Sequence, residues 1–304
     1  MTRFMSDKIV DFKQGDVYKQ FTVVKTFPLA DFHSEAVQLR HNKTGLEVLH
    51  LVNDETENLF AFAFRTPNPK ANGAAHILEH SVLCGSEKYP LKDPFIHLSN
   101  QSVKTYLNAM TYPDRTVFPA SSIVKADYFN LMSVYGDAVF FPRLSPEIFM
   151  QEAWRPELDE KGKVSLQGVV YNEMKGSYSS FESVAADRAM ESLAAGSVYE
   201  KDSGGDPAVI PTITHGELVE FHRKWYRPDN CLVFLYGNIP TAEQLDFPIV
   251  YASARNGMSG YEVDQLEHSM KPIFDTILRA IPAPAMDNDA PLQILFSTID
   301  YDDY

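Results

Sequence analysis

The chain has 304 residues, 44% of them hydrophobic and 22% charged, enough apolar material for the core of one large domain or two medium ones. Its 27 basic and 41 acidic residues leave a net charge near −14, which argues against a nucleic-acid or anionic-membrane surface and makes a cationic or extended peptide the more natural partner. Two cysteines, Cys84 and Cys231, are too few for a disulfide framework and read as buried thiols in a reducing compartment, and no apolar run approaches the ~20 residues of a membrane span. Met1–Gln20 carries neither an apolar export segment nor an Arg/Ser-rich amphipathic stretch, so the expected setting is cytoplasmic.

Tyr18–Leu29, rich in Val, Phe and Thr, predicts a strand, and Glu35–Arg40 and Leu46–Val52 flank a turn ending in Gly45, a hairpin signal. Leu59–Phe64 alternates large and small apolar residues, as suits a central strand buried on both faces. Pro67-Asn68-Pro69 breaks it, and Gly73–Gly85 reads as a helix with Gly85 as a left-handed cap. Three strands followed by a helix point to an α+β fold, a mixed and largely antiparallel sheet with helices on one face.

Asp93-Pro94 predicts an N-cap and first helical position for a short helix to about Ser99. Lys104–Thr111 and Arg115–Pro119 read as short strands around the turn Tyr112-Pro113-Asp114, and Lys125–Phe140 has helical spacing. Glu157–Leu166 reads as a charged loop or hairpin. Gln167 to about Ala195 predicts one long helix with Gly176 as its weak point. Thr214 to Glu217 is a capping-box pattern opening a helix to Trp225-Tyr226, and Asp229–Tyr236 predicts a buried closing strand. The character changes near Phe247, so the expected division is a domain over 1–247 and a tail over 248–304, with one amphipathic helix over Met270–Ala280.

Chemistry concentrates in His76-Ile77-Leu78-Glu79-His80. On a helix His76 and His80 stand one turn apart on one side, where both can reach a single metal ion, with Glu79 beside them. His-x-x-Glu-His is the inverted form of the zincin motif. Two histidines of one helix lack a third ligand, which in catalytic zinc sites is often a carboxylate from elsewhere, leaving the fourth position to water. Glu173 is the candidate, because the run Gly168–Gly176 reads as an apolar helical turn in which a carboxylate is out of place. An ion pair with Lys175 is the other reading. His97 reads as a surface or supporting residue, His215 and His222 as packing, and Glu182 and Glu191 as solvated.

The His76–His80 motif is followed by Gly85-Ser86-Glu87-Lys88-Tyr89-Pro90 and Asp93-Pro94-Phe95, by Leu107–Thr111 and Pro113–Thr116, and by Gly168–Gly176, Asp202–Pro207 and Phe221-His222. In that order and at about that spacing these blocks resemble the pitrilysin/insulysin superfamily of inverted-zincin metallopeptidases, most closely its presequence-protease branch, over Phe21 to about Pro240. The resemblance implies one zinc ion held by His76, His80 and Glu173, and Glu79 as general base for cleaving peptides or unfolded segments. It also implies an edge strand at Leu107–Thr111, where the main chain of Asn108 and Ala109 would pair with an extended peptide; for Asn108 a strand-end turn role is the other reading. It leaves an organelle matrix open beside the cytoplasm. Members of this branch are about three times longer, and a Tyr and an Arg that stabilise the intermediate lie in a C-terminal half with no match in 248–304. The implied partner is therefore a complementary half or second subunit, and the alternative function is a non-catalytic binding or assembly subunit that keeps the metal site.

Overall fold

The structure is a computed structural model and describes residues 12–158, 162–245, 251–253, 258–260 and 269. Strands β1 (Val17–Tyr18), β2 (Phe21–Leu29), β3 (Ser34–His41) and β4 (Glu47–Val52) form an antiparallel meander. β5 (Asn58–Arg65) carries the alternating phenylalanines, and Phe60, Ala61, Phe62 and Phe64 are all buried, so both faces of this strand are covered as its composition predicts. Helices α1 (Ala74–Val82) and α2 (Pro94–Gln101) follow. Then come the short strands β6 (Tyr106–Leu107) and β7 (Met110–Thr111), the longer β8 (Arg115–Ser122) and helix α3 (Lys125–Phe140).

The second half supplies α4 (Pro146–Glu152), the hairpin β9 (Arg155–Leu158) and β10 (Val164–Gln167), and helices α5 (Val169–Ser177), α6 (Phe181–Leu193) and α7 (His215–Trp225). β11 (Cys231–Gly237) and the single turn α8 (Thr241–Gln244) complete it. The main sheet has nine strands in the order β1-β2-β3-β4-β11-β5-β8-β6, with β7 also on β8. Every neighbouring pair is antiparallel except β4 and β11, so the sheet is mixed and mostly antiparallel, in the α+β class. α3 packs across β5 and β8, where Phe60 meets Tyr128 and Tyr135 edge to face at 5.6 and 5.7 Å.

Three local expectations need correction. The predicted long helix is two, α5 and α6, parted just past Gly176, and Ser180 restarts the chain by accepting the Ser183 N–H on its hydroxyl. Asp93 occupies the N-cap place of α2 in a left-handed conformation with φ 52°, and its side chain caps nothing. Gly85 does not cap α1, which ends on right-handed Leu83; it sits at φ +131° in the following turn, where a Cβ would meet the Leu91 carbonyl at 2.8 Å. The chain divides into two units, Met1–Asp246 and Phe247–Tyr304, the second containing the antiparallel pair β12 (Tyr251–Ser253) and β13 (Met258–Gly260). The helix expected over Met270–Ala280 lies outside the described residues.

One buried polar cluster ties β11's exit to the sheet. His50 of β4, fully enclosed, faces the Thr241 hydroxyl at 2.8 Å through Nδ1 and accepts the Gln244 amide at 3.2 Å on Nε2, while Tyr128 donates to the Gln244 carbonyl. Burial brings the His50 imidazole from 6.5 down to about 4, against a smaller upward pull from the Gly237 backbone. Below pH 6.5 the unfolded chain binds a proton that the folded one refuses, so the stabilisation is whole above 6.5 and falls away towards pH 4. Urea denaturation should show about 3 kcal/mol of acid destabilisation across that window that is missing from His50→Gln.

Candidate metal centre

α1 is enclosed on nearly all sides: every residue from Ala74 to Val82 is buried except His80. It packs against α4, α5, α7 and β7, so its rotation about its own axis is fixed. It begins at Gly73, φ +68°, which lies so close to Gly205 that a Cβ on Gly205 would fall 2.6 Å from the Gly73 Cα. Only bare backbone fits at this crossing, and it brings the Gly204 carbonyl to His76.

The Nε2 atoms of His76 and His80 lie 3.8 and 3.7 Å from Glu173 Oε2, and one ligand atom from each of the three residues lies within 4.8 Å of the others. A tetrahedral zinc with bonds near 2 Å needs ligand atoms roughly 3.3–3.5 Å apart, a gap small side-chain rotations close. The donor set, two imidazoles and a carboxylate, is that of an open catalytic zinc site. Each imidazole also has a partner on its far nitrogen: His76 Nδ1 faces the Gly204 carbonyl at 3.3 Å, and His80 Nδ1 faces Glu152 Oε2 at 3.3 Å. Those acceptors set the tautomer that leaves both Nε2 lone pairs free for a metal.

Glu173 reaches this point by a route different from the one its sequence suggests. Its side chain is 56% exposed on α5, whose buried residues are Val170 and Met174. It overhangs an open cleft rather than being forced into apolar surroundings. Glu79 is 8% exposed and accepts the Thr111 hydroxyl of β7 at 2.6 Å. The cleft encloses about 990 Å³ and is lined by all four residues together with Asn108 and Ala109.

Glu152 was not visible as a site residue in the sequence, although Ser145-Pro146, a hydroxyl cap followed by proline at the first helical position, signals the helix that delivers it. It is 5% exposed; burial pushes its carboxyl up, but hydrogen bonds from His80 and Gln151 outweigh this and hold it below the ordinary value. Burial pulls His80 down, and the Glu152 hydrogen bond with the charges of Glu79, Glu152 and Glu173 overcomes it, a net rise. Glu152→Gln should weaken zinc binding about 10–100-fold in a chelator competition, with the fold unchanged by circular dichroism.

The other three histidines weighed in the sequence, His97, His215 and His222, stand apart from this cluster. His97 is exposed on α2, and the rings of His215 and His222 bond the Leu144 and Val139 carbonyls at 2.8 and 2.9 Å, joining α7 to its neighbours. Glu182 is exposed, and Glu191 pairs with Arg188 and Lys201 at 2.6 and 3.0 Å.

Residues 65–186 match the family model described as Insulinase (Peptidase family M16), and residues 212–247 match the one described as Peptidase M16 inactive domain. Protein HypA of Clostridium perfringens is 42% identical over 241 residues, 78% of this chain and 25% of the relative. Presequence protease 1, chloroplastic/mitochondrial, of Arabidopsis thaliana is 45% identical over 213 residues, 69% of this chain and 20% of the relative. The mitochondrial presequence protease of Mus musculus is 41% identical over 236 residues, 76% and 23%. The chain thus spans about a quarter of the length of the curated relatives it matches. Among solved structures, pitrilysin aligns over 69% of this chain and 22% of its own with a TM-score of 0.52 at 22% identity, and a protease from Helicobacter pylori over 70% and 48% with 0.58 at 17%. The first family model spans the His-x-x-Glu-His helix and the second the closing strand β11, and with relatives at 41–45% identity the chain belongs to the pitrilysin/insulysin superfamily of M16 metallopeptidases.

Proposed function

We propose that this chain is the zinc-binding domain of a metalloendopeptidase that cleaves extended peptides or unfolded segments, with His76, His80 and Glu173 as ligands and Glu79 as general base. The observation that carries the reading is the convergence of the two Nε2 atoms and the Glu173 carboxylate with Glu79 one helical step away. When bound, zinc supplies Lewis acidity and lowers the pKa of a coordinated water towards ~7. Glu79 takes the proton of the attacking water and passes it to the leaving amine, and Thr111 holds its carboxylate in place. β7 beside it offers backbone groups to an extended chain.

The lining of the cleft bears on what enters. It includes six carboxylates, Glu79, Asp93, Glu152, Glu173, Asp187 and Asp202, and among the described residues no Lys or Arg. Burial, and to a smaller extent neighbouring Asp202, push the Asp187 carboxyl up against a lesser pull from Arg188, in a cleft wall crowded with carboxylates. A peptide with basic residues beside the scissile bond relieves that crowding. Replacing Asp187 and Asp202 by Asn together should raise KM for a Lys/Arg-rich peptide roughly fivefold or more relative to a neutral one, the difference shrinking at high salt.

The same absence of a cation, with the chain spanning a quarter of its relatives' length, favours a site that needs a second half to stabilise the oxyanion. Without one, turnover should fall on the order of 10²–10³. The mitochondrial and chloroplast names of the plant and mouse relatives make an organelle matrix, beside the cytoplasm, a setting for fractionation to decide. Zinc content and cleavage of a quenched basic peptide, compared between this chain and Glu79→Gln, test the whole reading. Stoichiometric zinc with no cleavage above the variant would leave a binding or assembly subunit.

A further inference from the structure

The edge strand beside the metal centre has a gap in its ladder. β6 and β7 pair with β8 in one continuous register, Tyr106 opposite Ser121, Leu107 opposite Ala120, Met110 opposite Val117 and Thr111 opposite Thr116, yet residues 108 and 109 fall outside both strands. The residue facing Asn108 in that register is Pro119. The Asn108 N–H donates to the Pro119 carbonyl at 3.2 Å, but proline has no N–H to return to the Asn108 carbonyl, so one rung of the ladder is missing.

That carbonyl is not left alone. The hydroxyl of Tyr135, reaching up from α3, donates to it at 3.2 Å. Tyr135 is 1% exposed and wedged against Phe60 and Phe95, with ring centroids 5.7 and 6.4 Å away. Its position is therefore set by the core and not by the strand it holds. Both main-chain groups of Asn108 point inward, and in an antiparallel strand the flanking residues turn theirs the other way. Leu107, Ala109 and Thr111 thus present N–H and C=O groups along the free edge, and Thr111 also carries the hydroxyl that holds Glu79.

We propose that Tyr135 is a positioning residue for peptide recognition: its hydroxyl replaces the donor that Pro119 lacks, and so keeps the outward groups of Leu107, Ala109 and Thr111 aligned for an incoming strand. The inference rests on the edge-strand reading of the site and reassigns its contacts, moving the main-chain pairing from Asn108 to its neighbours. It also explains why a proline is tolerated inside a nine-stranded sheet: its missing donor faces a carbonyl to which a side chain donates instead.

Glu79→Gln chain loaded with zinc serves as a binding-only background. In it, fluorescence anisotropy with a labelled extended peptide gives Kd, and amide hydrogen exchange reports on residues 106–111. Tyr135→Phe, which removes one oxygen from a buried ring, should raise Kd about three- to tenfold, the range of one hydrogen bond, and speed exchange in 106–111 while zinc stoichiometry stays unchanged. Adding Pro119→Ala to Tyr135→Phe restores a backbone donor opposite the Asn108 carbonyl and should return Kd to within about twofold of the background. A merely structural role for Tyr135 predicts no such rescue. Unchanged Kd in Tyr135→Phe, or loss of affinity that Pro119→Ala fails to repair, would overturn the inference alone. No peptide binding by Glu79→Gln itself would overturn the edge-strand reading and this inference with it.

Discussion

Glu79→Gln is expected to keep zinc at the wild-type stoichiometry and to lose peptide hydrolysis by about 10²–10⁴-fold, the usual worth of a positioned general base. The two halves of that result have separate causes. Zinc stays because the converging ligand atoms belong to His76, His80 and Glu173, and the amide adds no charge and little volume. The reaction goes because Gln cannot accept a proton, while its carbonyl oxygen can still receive the Thr111 hydroxyl that now reaches Glu79 Oε2 at 2.6 Å. Zinc by atomic absorption and cleavage of a quenched peptide on the same preparation read both. Cleavage by Glu79→Gln at the wild-type rate would remove Glu79 from the mechanism.

The second large effect belongs to Glu173. Of the three proposed ligands it is the one outside α1, carried on α5 and half exposed above the cleft, with no buried shell to keep it in place once its charge is gone. Metal-binding free energies on the order of 10–16 kcal/mol spread over a ligand set put roughly 3 kcal/mol, about a hundredfold, on a single ligand. Glu173→Gln should therefore weaken zinc binding about a hundredfold or more while leaving the unfolding midpoint of the metal-free chain within measurement error, since surface carboxylates contribute little to stability. Chelator competition gives the first quantity and urea titration with excess chelator the second. Unchanged zinc affinity would exclude Glu173 from the ligand set.

What could be read in the sequence follows the range of the interactions involved. Period-two alternation in Leu59–Phe64 and the capping box at Thr214 are local codes, and β5 and α7 form where they predict; the Thr214 hydroxyl and the Glu217 carboxylate satisfy each other's backbone partners as expected. His76 and His80 were placed by helical geometry alone. Glu152 and the Gly204 carbonyl were not, because each meets its histidine across a long stretch of chain and neither has a residue-type signature for that task. The single helix expected over 167–195 fails for a related reason: Ser177–Ser180 offers side-chain hydroxyls that compete with helical backbone bonds, and the cap at Ser180 wins. For Glu173 the sequence suggests an apolar environment that the side chain does not have, since period 3.6 sets it at the border of the buried face of α5, about 60° round the helix from Val170 and about 100° from Met174.

The position of β11 has a consequence for how the domain is made. β4 and β5 are consecutive in the chain, yet they never touch as a hairpin, because β11 from the far end of the domain lies between them, parallel to one and antiparallel to the other. On a ribosome the first four strands and β5 emerge long before their common neighbour. Until Cys231–Gly237 is free of the exit tunnel, the nascent chain holds two unpaired strand edges, one of them the phenylalanine-rich β5. Such edges recruit other chains, and pairing across so large a separation is slow. Helix α1 is synthesised directly after β5, so its final seat waits on the last strand of the domain, and the interval before that strand arrives is when the chain is most open to pairing with others.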